Sequence, residues 1–226
     1  MVEAAAPPKS GWEMLLEQPG DKKHGGHNER NQAPICEVLI RHLEDNRPEG
    51  RPLRVLEVAS GTGQHAAYMP SQIGGVLWQP TDFDPVCVTS TDLWTAEQRE
   101  LVLPCALLDV TSHPTKWPVE AGSQDVVYNC NMIHLSPIQV LYGFCAGAGV
   151  VTAPGGTVFL YGPFSLNGVH VSDSNSSFDA KLRERDPSWG VRSVEEVQAE
   201  MRKAGLEMID RNEMPSNNMM LVFRKD

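Results

Sequence analysis

The sequence predicts an α/β fold: a mostly parallel, seven-stranded sheet with helices on both faces and an antiparallel hairpin at its C-terminal end. Three observations predict it. Short apolar runs alternate with stretches long enough for helices, the first run ends in a glycine-rich turn, and the last two runs are joined by only a short polar link. Alternation requires crossover connections, which make parallel strands buried on both faces. A short direct link makes a hairpin.

The elements follow in order. Residues 54–59, 75–79, 105–110 and 125–130 are apolar runs bounded by Gly, Pro, Asp or Ser, the pattern of buried parallel strands. Residues 157–161 add a fifth strand after the turn Pro154-Gly155-Gly156. Helices are expected over 34–44, 64–72, 85–101 and 138–151. Residues 194–204 read as an amphipathic helix with Ser193 as N-cap, Glu195 and Glu196 in the first turn and Gly205 just past the end. Strands over 206–211 and 219–224, linked through Pro215, Ser216 and Asn217, form the closing hairpin.

A chain of 226 residues, 41% hydrophobic, suits one domain with a sizeable core. No apolar run reaches the roughly 18 residues of a membrane span, and the Ala- and Pro-rich start has no signal-peptide pattern. The formal charge is −10, from 19 basic and 29 acidic residues, without a long basic cluster; a nucleic-acid partner is disfavoured. Five widely spaced cysteines without a Cys-x-x-Cys pair read as small core hydrophobes in a reducing, cytoplasmic setting. Residues 1–28 are expected to be a flexible or cofactor-covering extension, and 29–226 the main domain. Within it, residues 162–192 read as a long irregular connection whose Phe164, Phe178 and Trp189 argue for an ordered lid.

The strongest motif is Glu57-Val58-Ala59-Ser60-Gly61-Thr62-Gly63, at the end of the first strand. Glycines there let the backbone approach a ligand, and the next helix presents free N–H groups. Gly61, Gly63 and Ala66 also satisfy the dinucleotide pattern, and Asp82, about twenty residues on, suits a ribose hydroxyl in either class. Three features favour S-adenosylmethionine over NAD. Glu57 stands where methyltransferases carry an acid, Asp109 ends the third strand where an adenine amino group is met, and no Tyr-x-x-x-Lys pair is present. Ser60, Phe83, Val110 and Asn129 complete the expected cofactor set. The plainer readings are that Asp82 and Asp84 cap the helix beginning at Pro85 and that Asp109 caps a turn at Thr111-Ser112.

Several further stretches carry a family resemblance: Glu29-Arg30-Asn31 with Pro34-Ile35, Val55 through Ala66, Trp78-Gln79-Pro80-Thr81-Asp82, and Asn131-Met132-Ile133-His134-Leu135-Ser136-Pro137. Tyr161-Gly162-Pro163-Phe164, Ser174-Asn175 with Phe178-Asp179, Arg185-Asp186-Pro187 with Trp189-Gly190, and Met214-Pro215 with Asn217-Asn218 continue the set. In these, from Glu29 to the C-terminus, the chain resembles the small methyltransferase-like proteins long catalogued as a domain of unknown function, which include an animal methyltransferase-like member. The resemblance implies the Rossmann-like class I methyltransferase fold and S-adenosylmethionine. It implies no particular acceptor.

Methyl transfer from a sulfonium is an in-line displacement, so alignment of the acceptor is the main requirement. His134, after the fourth strand, is the candidate general base; Asn131 and Tyr161 are candidate acceptor contacts, each with a plain structural alternative. Arg30 and Asn31 are candidate cofactor contacts, Arg30 as a partner for the methionine carboxylate or simply a surface charge. Phe164, Asn175 and Trp189 are the candidate substrate-binding residues of the lid, whose opposed charges can also simply pair with each other. A built-in lid in a short chain favours a small-molecule acceptor, with the protein a monomer or homodimer. No metal is expected, since His24, His27 and His65 lack obvious partner ligands. The competing readings are a cofactor-binding partner subunit without turnover and an NAD-dependent oxidoreductase.

Overall fold

The structure, a computed structural model, describes residues 17–44 and 47–226. One seven-stranded sheet organises it. Its strands are β1 (Leu53–Val58), β2 (Val76–Asp82), β3 (Ala106–Leu107), β4 (Gln124–Cys130), β5 (Thr152–Gly162), and the last two of the chain, Leu206–Met214 and Asn218–Lys225. Three short strands between them, β6 (Phe164–Leu166), β7 (Val169–His170) and β8 (Arg192–Ser193), form a separate small sheet in the order β7-β6-β8, so the closing pair is β9 and β10. The main sheet has the order β3-β2-β1-β4-β5-β10-β9, with β10 antiparallel to both neighbours and the first five strands parallel.

Side-chain alternation splits the interior into two cores. Leu56 and Val58 of β1, Val127 of β4, Val158 and Leu160 of β5, and Leu221 and Phe223 of β10 face one side. There they pack against helices α4 (Ile138–Val151) and α6 (Val194–Lys203). Val55, Val126, Tyr128, Phe159, Tyr161 and Val222 face the other, under α1 (Asn28–Leu43) and α2 (Gln64–Ile73). Two further helices, α3 (Pro85–Trp94) and α5 (Asp173–Arg185), stand beside β2 and β7. The seven strands, their hairpin and the helices on both faces are those expected.

The boundaries differ where local and tertiary signals compete. β2 runs past Gln79 through Pro80 to Asp82, because the Gln79 side chain donates to Pro80 O and Pro104 O where β3 has not yet begun to pair. β3 shrinks to two residues on the sheet edge. α1 begins six residues before Pro34, held by the Asn28 amide, which donates to Thr62 Oγ1 at 2.9 Å. α3 ends at Trp94, and Thr95 Oγ1 bonds back to Thr91 O. Residues 162–192 are not irregular: they hold the small sheet and α5, with Ser172 capping the helix by accepting from Asn175 N.

Candidate functional site

The C-terminal ends of β1, β2 and β4 meet at the glycine turn. Glu57 is buried and accepts 2.8 Å from Trp78 Nε1. Burial pushes its carboxyl up to about 7, against the pull of the Trp78 hydrogen bond. The chain then enters the left-handed region at Ala59 (φ 58°), Gly61 (φ 59°) and Gly63 (φ 92°). A Cβ on Gly63 would stand 2.5 Å from Thr91 Cα, so glycine is required where α2 and α3 approach. Ala59 adopts the same half-plane with a side chain.

Asp82, 5% exposed, closes this turn. One carboxylate oxygen accepts from Gly61 N at 2.8 Å and the other from Asp84 N at 2.9 Å. Burial raises it to about 6 despite those bonds. Asp84 is the N-cap of α3, accepting from Val86 N. Next to Asp82 stand two exposed apolar side chains, Phe83, 70% exposed, and Leu107, the strand partner of Asp82, 62% exposed. Asn129 is fully buried at the end of β4; its Nδ2 donates to Val58 O, and its Oδ1 has no partner.

Other expected cofactor residues lie differently. Asp109 is exposed, and its Oδ1 accepts from Thr111 N and Oγ1 at 2.8 and 2.7 Å, so it caps its own turn. Val110 is buried in the core under α4. Arg30 is exposed. Asn31 points inward: its Oδ1 meets His65 Nε2 at 2.9 Å, and His65 Nδ1 meets the buried Tyr128 hydroxyl at 3.1 Å. Burial pushes His65 down to about 4, so this chain of groups is neutral. Residues 18–28 pack beside it, with Gly25 N donating to Gln64 Oε1 at 2.6 Å and Lys23 N to Ser90 Oγ at 2.8 Å. Residues 1–16 of the expected extension lie outside the described residues.

A second cluster sits where β4 and β5 end. Asn131, in the left-handed region (φ 57°), donates its backbone N–H to Tyr161 O. His134 is 3% exposed, with its Nδ1 buried and unpartnered and its ring 5.7 Å from that of Phe178 on α5. Burial, and then the nearby Arg192 charge, push its imidazole down to about 3. A Cβ built on Gly162 would lie 3.4 Å from His134 Nδ1 and 3.6 Å from Asn131 Oδ1, so these two side chains pack beside that glycine.

Arg192 fixes this loop. Its guanidinium donates to Ile133 O, Ser136 O and Ser188 O at 3.1, 2.7 and 3.0 Å, and Gly190 N donates to His134 O. Opposed charges within residues 162–192 pair with each other, with Asp179 bound to Arg183 at 2.9 Å while also accepting from Val191 N. Tyr161 is packed in the core with its hydroxyl accepting from Asn218 Nδ2 at 2.9 Å, and Phe164 is fully buried in the opposite core. Phe164 therefore presents no surface to a small molecule, since its place in the sheet turns it inward. Asn175 ties α5 to the link of the hairpin, donating to Asn217 O at 2.9 Å. Trp189 packs under the Arg185 guanidinium, 5.4 Å from it. Trp78, Tyr128 and Gly162 are the site residues that sequence reasoning left without a role.

Among the described residues, no three His, Cys, Asp or Glu side chains are grouped to hold a metal, and no helix is long and apolar enough to cross a membrane. Residues 22–225 match the model of the family described as "Protein of unknown function (DUF938)". The chain belongs to that family. This DUF938 chain is also similar to solved methyltransferase structures. The CurJ carbon methyltransferase superposes with a TM-score of 0.64 at 17% identity, covering 87% of this chain and 54% of that one, so the chain spans about half its length. A chain of the "Complex between the Haloferax volcanii Trm112 methyltransferase activator and the putative methyltransferase" gives 0.69 at 13% identity, covering 96% of this chain and 99% of that one. Geranyl diphosphate methyltransferase, solved with GPP and sinefungin, gives 0.66 at 12% identity, covering 86% and 77%. These likenesses show that the DUF938 chain has the Rossmann-like methyltransferase fold.

Proposed function

We propose that the chain is an S-adenosylmethionine-dependent methyltransferase acting on a small-molecule acceptor. The observation that carries this reading is Asp82, a buried carboxylate at the end of β2 bound to the N–H of Gly61 in the glycine turn, beside exposed Phe83 and Leu107. In open α/β sheets ligands bind at the carboxyl ends of the strands where the order reverses, here between β1 and β4. The residues fit the cofactor. Asp82 can accept from ribose hydroxyls, Phe83 and Leu107 offer apolar walls for a purine, and the orphaned Asn129 Oδ1 suits the amino-acid end. Methyltransferase neighbours, one of them solved with sinefungin, support the same reading.

When bound, the cofactor supplies an electrophilic methyl group. The chain's residues then have three tasks: to bind the acceptor, orient it and exclude water. His134 is placed for orientation. An imidazole held down at about 3 is a weak proton acceptor, so we assign His134 a hydrogen-bonding role at the acceptor in place of the expected base. The lid built from β6, β7, α5 and β8 brings Phe178 over it.

Calorimetric titration with S-adenosylhomocysteine, with NAD in parallel, tests the reading. Tight binding of S-adenosylhomocysteine alone is expected. Binding of NAD alone would replace the reading with a nicotinamide-dependent oxidoreductase.

A further inference from the structure

Residues 18–27 contain no Val, Leu, Ile, Met, Phe, Tyr or Trp and form neither helix nor strand. They are nonetheless closed into one loop. The Gln18 side chain accepts from His24 N and donates to His24 O, both at 3.0 Å, and Lys23 Nζ donates to Gln18 O and Gly20 O. Two buried residues, Lys23 and Gly25, dock this loop while the residues beside them stay exposed. Lys23 N donates to Ser90 Oγ at 2.8 Å, and Lys23 O accepts from Trp94 Nε1 at 2.7 Å. Gly25 N donates to Gln64 Oε1 at 2.6 Å.

Both dockings lead to one residue, Thr62, between the two glycines of the turn. Ser90 Oγ donates to Thr62 O at 2.8 Å, and Gln64 Oε1 accepts from Thr62 Oγ1 at 2.9 Å. None of these bonds uses Asp82 or the Gly61 N–H that Asp82 holds. The turn is therefore gripped twice, by Asp82 at Gly61 and by Ser90 and Gln64 at Thr62. Two glycines give it little stiffness of its own.

A segment that docks through a few hydrogen bonds and buries no large apolar side chain opens at low cost, because water replaces those bonds. Its docked and released forms are close in free energy, so a ligand that favours one of them shifts the balance.

We propose that residues 18–27 are a strap that braces the glycine turn through Ser90 and Gln64, so that strap docking and cofactor binding strengthen each other. This rests on the methyltransferase reading and adds a regulation of the same site. The N-terminal segment acts through Thr62, with Ser90 and Gln64 as positioning residues, and not by covering the cofactor. The coupling is reciprocal: the factor by which a docked strap tightens cofactor binding is the factor by which cofactor tightens the strap.

Hydrogen exchange of the full chain at the Lys23 and Gly25 amides, with and without S-adenosylhomocysteine, tests this, and calorimetry reads the affinity. The ligand is expected to slow both amides about tenfold. Gly25→Val alters the strap alone. A Cβ there would stand 3.0 Å from Asn28 Nδ2 and 3.3 Å from Thr62 Oγ1, and the φ of Gly25 lies outside the left-handed region. The variant should keep its melting temperature, speed exchange at Lys23 and bind S-adenosylhomocysteine about tenfold more weakly. Trp94→Phe, which removes the donor to Lys23 O and keeps a ring, should act in the same direction. Amides that exchange equally with and without ligand would overturn the coupling. So would a variant that loosens the strap yet binds S-adenosylhomocysteine as the parent does. Unchanged Lys23 exchange in both variants would overturn the docking contacts. Failure of the parent chain to bind S-adenosylhomocysteine would overturn the functional reading, and this inference with it.

Discussion

Glu57→Gln is expected to stabilise the protein at pH 8 and to lose that advantage at pH 4.5. Glu57 is fully surrounded by protein at the end of β1, and burial raises its carboxyl from 4.5 to about 7. Below pH 4.5 the folded and unfolded chains both hold the proton, so ionisation costs nothing. Between 4.5 and 7 the folded chain keeps a proton that the unfolded chain has lost, and stability falls as pH rises. Above 7 the penalty is complete, at about 3 kcal/mol from about 1.4 kcal/mol per tenfold change in the proton equilibrium. A glutamine carbonyl still accepts from Trp78 Nε1, and its amide reaches toward Ser60. One amide N–H without a good acceptor takes back about 1 kcal/mol, leaving about 2 kcal/mol of net gain at pH 8. Urea denaturation of both proteins at pH 4.5 and 8 reads this directly. A variant less stable than the parent at pH 8, or a difference that does not change with pH, would refute the burial argument.

Three further outcomes follow from the same geometry. Asp82→Asn should weaken S-adenosylhomocysteine binding about tenfold or more, because ribose hydroxyls lose an anionic acceptor. In the parent chain the affinity should fall as pH drops through about 6, where Asp82 takes up its proton, and calorimetry on the variant should show that dependence gone. Gly63→Ala should cost about 2–4 kcal/mol, since a methyl would meet the Thr91 backbone at 2.5 Å from a residue held at φ 92°; a loss under about 1 kcal/mol in thermal unfolding would contradict this. Arg192→Met should release the loops that carry His134 and Ser188, costing about 3 kcal/mol and lowering hydrogen-exchange protection at the Gly190 amide; unchanged protection would show that the guanidinium does not hold them.

The strand sequence was legible because buried parallel strands are apolar throughout and their ends are marked by Gly, Pro and Asp. α6 was legible to the residue at its start, since Ser193, Glu195, Glu196 and Gly205 are local signals, and Ser193 Oγ does accept from Glu196 N. Pro80 and Pro34 misled in opposite ways. A proline normally ends a strand or opens a helix, yet Gln79 and Asn28 supply side-chain hydrogen bonds to residues 104 and 62 that only the folded chain brings near. The small three-stranded sheet escaped for the same reason. β7 and β8 are two residues each, too short for any periodicity, and β8 pairs with β6 across the whole of α5.

The two acids of the expected cofactor site show what pattern alone cannot separate. Asp82 and Asp109 occupy equivalent places in sequence, each just after an apolar run and each followed within two residues by a turn. Their surroundings then diverge. Asp82 lies between the glycine turn and the start of α3, is sealed from water, and has a proton equilibrium moved close to neutrality. Asp109 follows a two-residue edge strand, faces solvent, and spends one oxygen on Thr111. A desolvated carboxylate gains most from hydroxyl donors brought by a ligand, because water is not there to compete. Asp82 should therefore contribute far more to cofactor affinity than Asp109. Alanine at each position, titrated with S-adenosylhomocysteine, measures the difference; equal losses would mean that burial at β2 has no bearing on binding.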